Sequence, residues 1–341
     1  VSLRILYGVQ ATGQGHISRA RAMAEAFTSQ DADVTWLFSG RPQHQLFDME
    51  PFGDYLHRSG LTFVTENGRT RYRKTVLNAK PWTFIRDVRA LCLDDYDLIV
   101  TDYEPVTAWA GKMAGREVIG LGHQYAFGSN TPKAGANLLQ QTVMEYFAPV
   151  ARPVGLHWGP FNTHTLPPIL DLPTVYTDPV QHFVLVYLPF EHQNDVTIWL
   201  QQFSDYRFVQ YSNDITDIDV GNVQRRKASI TRFKQDLAHC SGVICNSGFE
   251  LISECLQWQK PVLTKPLQRQ MEQLSNAKAL SQLGYAEIMH RLDSTRTLQW
   301  LNNRPNAPTV HYLDVAHRLA AWLSAGAKDP IAELHAALWQ I

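Results

Sequence analysis

The chain has 341 residues, 45% hydrophobic and 18% charged, with a formal net charge of -1 at pH 7. This length suits two domains better than one core, and the near-neutral charge excludes a global field that would recruit nucleic acid or anionic lipid. No apolar run approaches the roughly 20 residues of a bilayer span, and Val1 to Val9 enter a strand pattern without the basic region and cleavage site of a signal peptide.

In chain order, strand patterns appear at Arg4–Tyr7, Asp33–Phe38, Leu98–Val100 and Glu117–Gly120, with helical patterns at Ile17–Phe27 and Pro105–Ala114 between them. Alternation in such short units predicts a doubly wound parallel α/β sheet. Around residues 149–179 the texture becomes proline-rich and loses periodicity, as in a linker. A second alternation follows, with strands at Phe183–Tyr187, Val243–Cys245 and Pro261–Thr264, and helices are expected from about His311 to Trp339. The expected units are residues 1–165, a linker at 166–180, a second α/β domain at 181–310 and C-terminal helices at 311–341. Two such domains facing each other leave a cleft where ligands bind. The cysteines, Cys92, Cys240, Cys245 and Cys255, lack CxxC spacing, and reduced thiols in a cytoplasmic protein are expected.

Chemistry-bearing residues cluster after the strands. The turn Tyr7 to Ala20 contains Gly13-x-Gly15-His16, but Ser18 occupies the third glycine position of the dinucleotide fingerprint. The second strand ends Phe38-Ser39-Gly40, without the ribose-binding acid, and no P-loop lysine follows. A tight turn needing positive φ is the plain explanation of the glycines. It leaves His16, at the mouth of the helix, as a candidate general base. Asp102 and Glu104 follow the strand at Leu98–Val100, where Asp102 would orient His16 or either acid would cap the next helix.

In the second half a strand runs into Asn246-Ser247-Gly248, and a helix opens with Phe249, Glu250 and Glu254. Ser247 and Glu250 have capping-box spacing. Alternatively, Gly248 exposes backbone N–H groups at a helix N-terminus, an anion site, with Glu254 accepting hydrogen bonds from hydroxyls. Glu272 and Gln273, after the strand at Pro261–Thr264, either read sugar hydroxyls or solvate a helix start.

Together these residues resemble the GT-B glycosyltransferases. The stretch Asn246 to Gly284 is similar to their sugar-nucleotide motif, and Ser247, Gly248, Ser253 and Glu254 match the spacing in the bacterial N-acetylglucosaminyltransferase of lipid II synthesis. "YGVQATGQGHISRA", "DLIVTDYEP", "GLGHQYAF" and "VLVYLPFE" look like a bacterial and archaeal group of glycosyltransferases of undefined acceptor. The resemblance implies two Rossmann-like domains and a nucleotide-diphosphate sugar, UDP-linked, as donor substrate, with no separate cofactor. By it Glu254 binds the ribose, the backbone at Gly248 and Phe249 the diphosphate, Glu272 and Gln273 the sugar, and Thr231–Asp236 borders the base. Ser247, Glu250 and the glycine turn at Gly13 and Gly15 are grouped with these contacts. Two departures stand out: Leu188–His192 replaces a glycine-rich loop, and Trp258-Gln259 stands where a small residue or glycine precedes Lys-Pro.

Asp95-Tyr96-Asp97 has the form of a metal-binding DxD but falls at the amino end of its strand, so no catalytic metal is expected. The mechanism that follows is inverting transfer to an unknown hydroxyl acceptor, with His16 as base assisted by Asp102, and Glu104 as the alternative base. An epimerase of the same fold and a non-catalytic sugar-nucleotide-binding protein are the alternatives. Between Arg69 and Arg89 seven cations (Arg69, Arg71, Arg73, Lys74, Lys80, Arg86, Arg89) face one acid, Asp87, with Trp82, Phe84 and Ile85 interleaved. That stretch is either a solvated segment with inward aromatics or a contact with the inner membrane surface.

Overall fold

Strand β1 (Leu3–Gln10) is apolar on both faces, as a parallel strand covered by helices on each side must be. In the computed structural model, which describes residues 2–61, 65–66, 69–70, 80–135, 138–172, 180–303 and 307–340, those faces meet two layers. Ile5, Tyr7 and Val9 pack with Ile17, Ala20 and Met23 of helix α1 (Gln14–Phe27). Leu6 joins Val88 of α2 (Pro81–Arg89) and Val106 of α3 (Pro105–Met113) on the other side.

The first sheet has the order β3-β2-β1-β6-β7-β8-β9, and its strands are all parallel. Its members beyond β1 are β2 (Ala32–Ser39), β3 (Leu56–Arg58), β6 (Leu98–Asp102), β7 (Ile119–Gly122), β8 (Arg152–Leu156) and β9 (Thr165–Leu166). A hairpin of β4 (Thr65–Glu66) and β5 (Arg69–Thr70) stands apart, and α4 (Leu138–Phe147) precedes β8. The central strand β1 pairs with β2 and β6, so the carboxyl ends Gln10, Ser39 and Asp102 lie along one edge.

The second sheet repeats the plan with the order β12-β13-β11-β10-β14-β15-β16, parallel except between β12 and β13. Its strands are β10 (Val184–Tyr187), β11 (Phe208–Ser212), β12 (Ile218–Val220), β13 (Val223–Lys227), β14 (Gly242–Asn246), β15 (Val262–Lys265) and β16 (Glu287–Ile288). The helices between them are α5 (Gln193–Gln201), α6 (Ile230–His239), α7 (Phe249–Gln257), α8 (Met271–Leu283) and α9 (Ser294–Asn303). Val184 and Val186 pack with Trp199, Trp300 and Leu301 on one face, while Leu185, Val243 and Cys245 meet Ile252 and Leu256 of α7 on the other. All four thiols are free, and burial raises Cys240 to about 11 and Cys245 to about 12. Among the described residues no helix is long and apolar enough to cross a membrane.

The proline-rich stretch departs from expectation. Residues 152–156 and 165–166 are strands β8 and β9 of the first sheet, and 173–179 lie outside the described residues. Pro153 misleads because a proline argues against a central strand. Here β9 pairs only with Gly155 and Leu156, so at Pro153 the strand has a neighbour on one side alone. The C-terminal helices α10 (Val315–Ser324) and α11 (Ile331–Trp339) return to the first domain, α10 against α1 and α11 against β9. His335 Nδ1 and Trp339 Nε1 both reach Thr165 O, at 2.7 and 2.8 Å. Arg152 donates to Ala327 O at 2.8 Å and lies over the Trp322 ring at 5.2 Å.

Leu338 of α11 is only 4% exposed, so the tail is part of the core it covers. Leu338→Ala is expected to lower stability by about 2–5 kcal/mol in urea unfolding. A loss below about 0.5 kcal/mol, the level of a surface site, would make α11 a loose appendage.

Candidate active site

The cleft centres on the first turn of α1. His16 Nδ1 lies 2.8 Å from Asp102 Oδ1, at the end of β6. Arg19, one helical turn after His16, forks onto the same carboxylate, with Nε 2.8 Å from Oδ2 and Nη2 2.6 Å from Oδ1. Its Nη2 is also 2.9 Å from His16 Nδ1. That nitrogen carries one proton or one lone pair, so donation to Asp102 and acceptance from Arg19 exclude each other. In the tautomer that donates to Asp102, Nε2 keeps its lone pair. Through Nη1, Arg19 also pairs with Glu250 in the first turn of α7, on the opposite domain.

Both Asp102 and Arg19 are almost wholly buried. Burial works against the Asp102 charge, but Arg19 and then His16 outweigh it and hold the carboxyl below its ordinary range. Burial likewise opposes the Arg19 charge, and Asp102 overcomes it, raising the guanidinium pKa. Arg19 was not anticipated from sequence. Its signal was a cation inside the buried stripe of Ile17, Ala20 and Met23, at the i,i+3 spacing from His16.

Glu104, grouped with the catalytic candidates, takes the other role its position allowed and caps α3. Its Oε1 accepts from Val106 N at 2.7 Å and Ser39 Oγ at 2.5 Å, and its Oε2 from Thr107 N at 2.6 Å. It has no solvent exposure, and burial raises its pKa against those hydrogen bonds. Both oxygens are committed and cannot serve a substrate. The glycine turn is also not what positive φ would demand, since Gly13 caps α1 at φ -111° and ψ 157°. Gly15 is constrained by closeness: a Cβ there would lie 2.7 Å from Glu250 Oε2.

On the second domain the capping box does not form. Ser247 is buried and its Oγ lies 2.9 Å from Thr264 Oγ1, while Glu250 is drawn across to Arg19. The N-cap of α7 is Gly248, at φ -75° and ψ 143°, with no side-chain cap bond. A Cβ built on it meets nothing within 4 Å, so neither backbone nor packing requires glycine here. Phe249 turns inward and stacks on His123, with centroids 4.0 Å apart and planes 8° from parallel. Glu254 lines the cavity but is nearly buried and ion-paired to Lys234, which also donates to Asp171 O at 3.0 Å. Burial raises the Glu254 pKa, and Lys234 opposes it.

Glu272 accepts from Gln124 Nε2 of the first domain at 3.1 Å, which keeps it at the cleft. Gln273 is buried, and its Oε1 accepts from Leu267 N at 2.9 Å, which ties down the loop before α8. Asn276 bridges the domains, with Oδ1 2.7 Å from His123 Nε2 and Nδ2 3.0 Å from Ser247 O. Gln259 adopts φ +52°, the left-handed conformation that explains why glycine commonly precedes Lys-Pro. Asp95 and Asp97 pair with Arg4 at the amino end of β6, away from Asp102.

A cavity of about 170 Å³ lies where these elements meet. Three helix starts line it: Gln14 and Gly15 of α1, Ser229 and Ile230 at α6, and Glu250 and Leu251 of α7. None of the three has a side-chain cap bond, so their first N–H groups and positive dipole ends are free to meet an anion. Phe233 and Lys234, in the stretch expected to border a base, form a wall with Tyr187.

The comparisons agree with this geometry. The sequence pattern described as glycosyl transferase family 1 matches residues 3–305, while no curated protein matches the sequence. Solved structures similar to the chain include the glycosyltransferase SnogD from Streptomyces nogalater, at TM-score 0.52 and 17% identity, covering 100% of this chain and 99% of that one. The calicheamicin glycosyltransferase CalG4 gives 0.59 and 14%, covering 100% and 98%. SsfS6 of Streptomyces sp. SF2575, complexed with thymidine diphosphate, gives 0.56 and 13%, covering 99% and 100%. At such identities the structures speak for the fold, and the family pattern spans most of the chain. The protein belongs to glycosyl transferase family 1 and is a transferase built on the GT-B fold.

Proposed function

We propose that the protein moves a sugar from a pyrimidine nucleoside diphosphate, UDP in the first instance, to a hydroxyl acceptor, with inversion and without a metal. The observation that carries this reading is the His16–Asp102 contact beside a cavity faced by three uncapped helix starts. The open space at Gly248 leaves room for a diphosphate against the N–H groups of α7, which stabilise the leaving group's charge. Phe233 and Tyr187 border the base, and Glu254 holds the ribose while sharing Lys234. His16, with Nδ1–H directed to Asp102, accepts the acceptor's proton at Nε2. The deprotonated oxygen then attacks the anomeric carbon from the face opposite the diphosphate, and one displacement inverts that centre. Arg19 is a positioning residue, holding Asp102 charged and in place. The thymidine diphosphate bound by SsfS6 makes the thymine nucleotide the natural competitor of UDP in a binding test.

The acceptor side includes the outer face of α2. Trp82, Ile85, Arg86 and Arg89 share one stripe of this helix and are exposed, Trp82 by 82%, while Phe84 and Val88 pack inward. Residues 71–79 of the basic stretch lie outside the described residues. An exposed tryptophan flanked by cations supports peripheral attachment to an anionic membrane, at about 1 kcal/mol per cation near the surface. Co-sedimentation with anionic vesicles at low salt, lost in Trp82→Ala, is the expected result. No sedimentation at low salt would leave a soluble acceptor.

His16→Ala is expected to cut turnover about a hundredfold or more while leaving UDP affinity in calorimetry nearly unchanged. Asp102→Asn should do the same and lower the melting temperature as well, because Arg19 loses its main counter-charge. Near-normal turnover in His16→Ala would remove the histidine from the mechanism.

Glu254→Ala would strand the Lys234 ammonium, so Glu254→Gln is the cleaner probe of the ribose. Nucleotide affinity should fall by about 1.5–3 kcal/mol, the range for hydrogen bonds to a charged group. Unchanged affinity would assign Glu254 to structure alone.

A further inference from the structure

A second cavity, of about 480 Å³, adjoins the first and shares Gln14, Phe47 and Asn213 with it. That volume is within the range of small-molecule sites. Apart from Asn213, its walls come from the first domain, from the ends of β1 and β2: Thr12, Gln14, Gly40, Arg41, Pro42, Gln45 and Phe47. Among the described residues its lining holds one cation, Arg41, and no carboxylate, beside the amides of Gln14, Gln45 and Asn213.

We propose that this cavity is the acceptor subsite and that it takes a hydroxyl-rich group carrying an anion, a carboxylate or a phosphate, which Arg41 binds. The assignment rests on the transferase reading given above. Arg41 is held in place for such a role. It follows Gly40, whose φ of +92° and N–H bond to Ser59 O, at 3.0 Å, fix the turn out of β2. Its Nη2 donates to Thr12 O at 2.8 Å, and no carboxylate among the described residues pairs with it. Burial lowers its pKa, opposed only by the Tyr187 hydroxyl, so the guanidinium is partly stripped of water without a counter-ion. An anion would supply one in bidentate form.

The amide lining fits the rest of the group. The Oε1 atom of Gln14 is buried and, among the described residues, accepts no hydrogen bond. An unpartnered acceptor of this kind suits a hydroxyl donor. Gln14 reaches both cavities, so an acceptor lying here would have its free hydroxyl near the first turn of α1, where His16 stands.

The test compares methyl glucoside, methyl glucuronide and glucose 6-phosphate as probes, by calorimetry, with and without UDP, on the wild type, Arg41→Gln and Arg41→Lys. At least one charged probe is expected to bind about tenfold or more tighter than the neutral one, as a charge-assisted contact would give. The preferred probe distinguishes carboxylate from phosphate. Arg41→Gln should abolish the preference and Arg41→Lys should keep part of it, with UDP affinity unchanged. Equal binding of the three probes, no binding of any, or a preference that survives Arg41→Gln would overturn the proposal. So would weakened UDP binding in Arg41→Gln, which would assign the residue to the donor phosphates. Absence of UDP and thymidine diphosphate binding in the wild type would sink the pyrimidine-donor reading, while the probe comparison without nucleotide still decides the charge preference.

Discussion

The structure depends on one charge chain, Asp102–Arg19–Glu250, that runs from the first sheet to the first helix turn of the second domain's α7. Taking Asp102 and Arg19 out of water costs several kcal/mol each, and only near-complete hydrogen bonding offsets it. Arg19 meets that condition by spending Nε and Nη2 on Asp102 and Nη1 on Glu250. The arrangement then constrains its surroundings. Glu250 turns away from its own helix end toward Arg19, and its carboxylate lies close beside Gly15 of α1. The N-cap of α7, Gly248, has no side chain of its own, so that end stays uncapped.

The same chain ties the orientation of His16 to the relation between the domains. Asp102 is shared by His16 and Arg19, and Arg19 is shared with the other domain. A second contact reinforces this: His123 stacks on Phe249 and reaches Asn276, while Trp158 Nε1 donates to Ser253 Oγ at 2.8 Å. Each joins the first domain to α7 or α8. His16 therefore has its orienting partners in place when the cavity against α7 is also formed, which ties the two together without any moving part.

Strands and helices were legible because both sheets are parallel and buried on both faces, so their strands read as continuous apolar runs between polar turns. That His16 and Asp102 would meet was legible because the helix start after β1 and the end of β6 lie at the same edge of adjacent parallel strands. Glu104 and Gln273 were ambiguous for a shared reason: a polar residue near a helix start serves ligand and backbone equally well in sequence, and only the structure shows the backbone bonds each one makes. Arg19 and the return of α11 to β9 were missed because each depends on contacts between distant segments, at separations of 231 residues for Arg19–Glu250 and 174 for Trp339–Thr165. Local pattern carries no trace of such pairings.

The two cavities divide recognition by kind of atom. In the proposed donor site the groups that would face a diphosphate are backbone N–H groups at helix starts, which any residue supplies provided the position stays open, as at Gly248. In the proposed acceptor site the lining is made of side chains, Gln14, Arg41, Gln45 and Asn213, each outside the strands. The fold itself tolerates wide sequence change, being shared by solved chains of 11–17% identity. On the proposed reading, acceptor choice would vary at a few positions after β1, β2 and β11, where substitution costs the scaffold little. The weakness of each donor motif taken singly follows from the same division, since an open helix end needs no particular side chain to announce it.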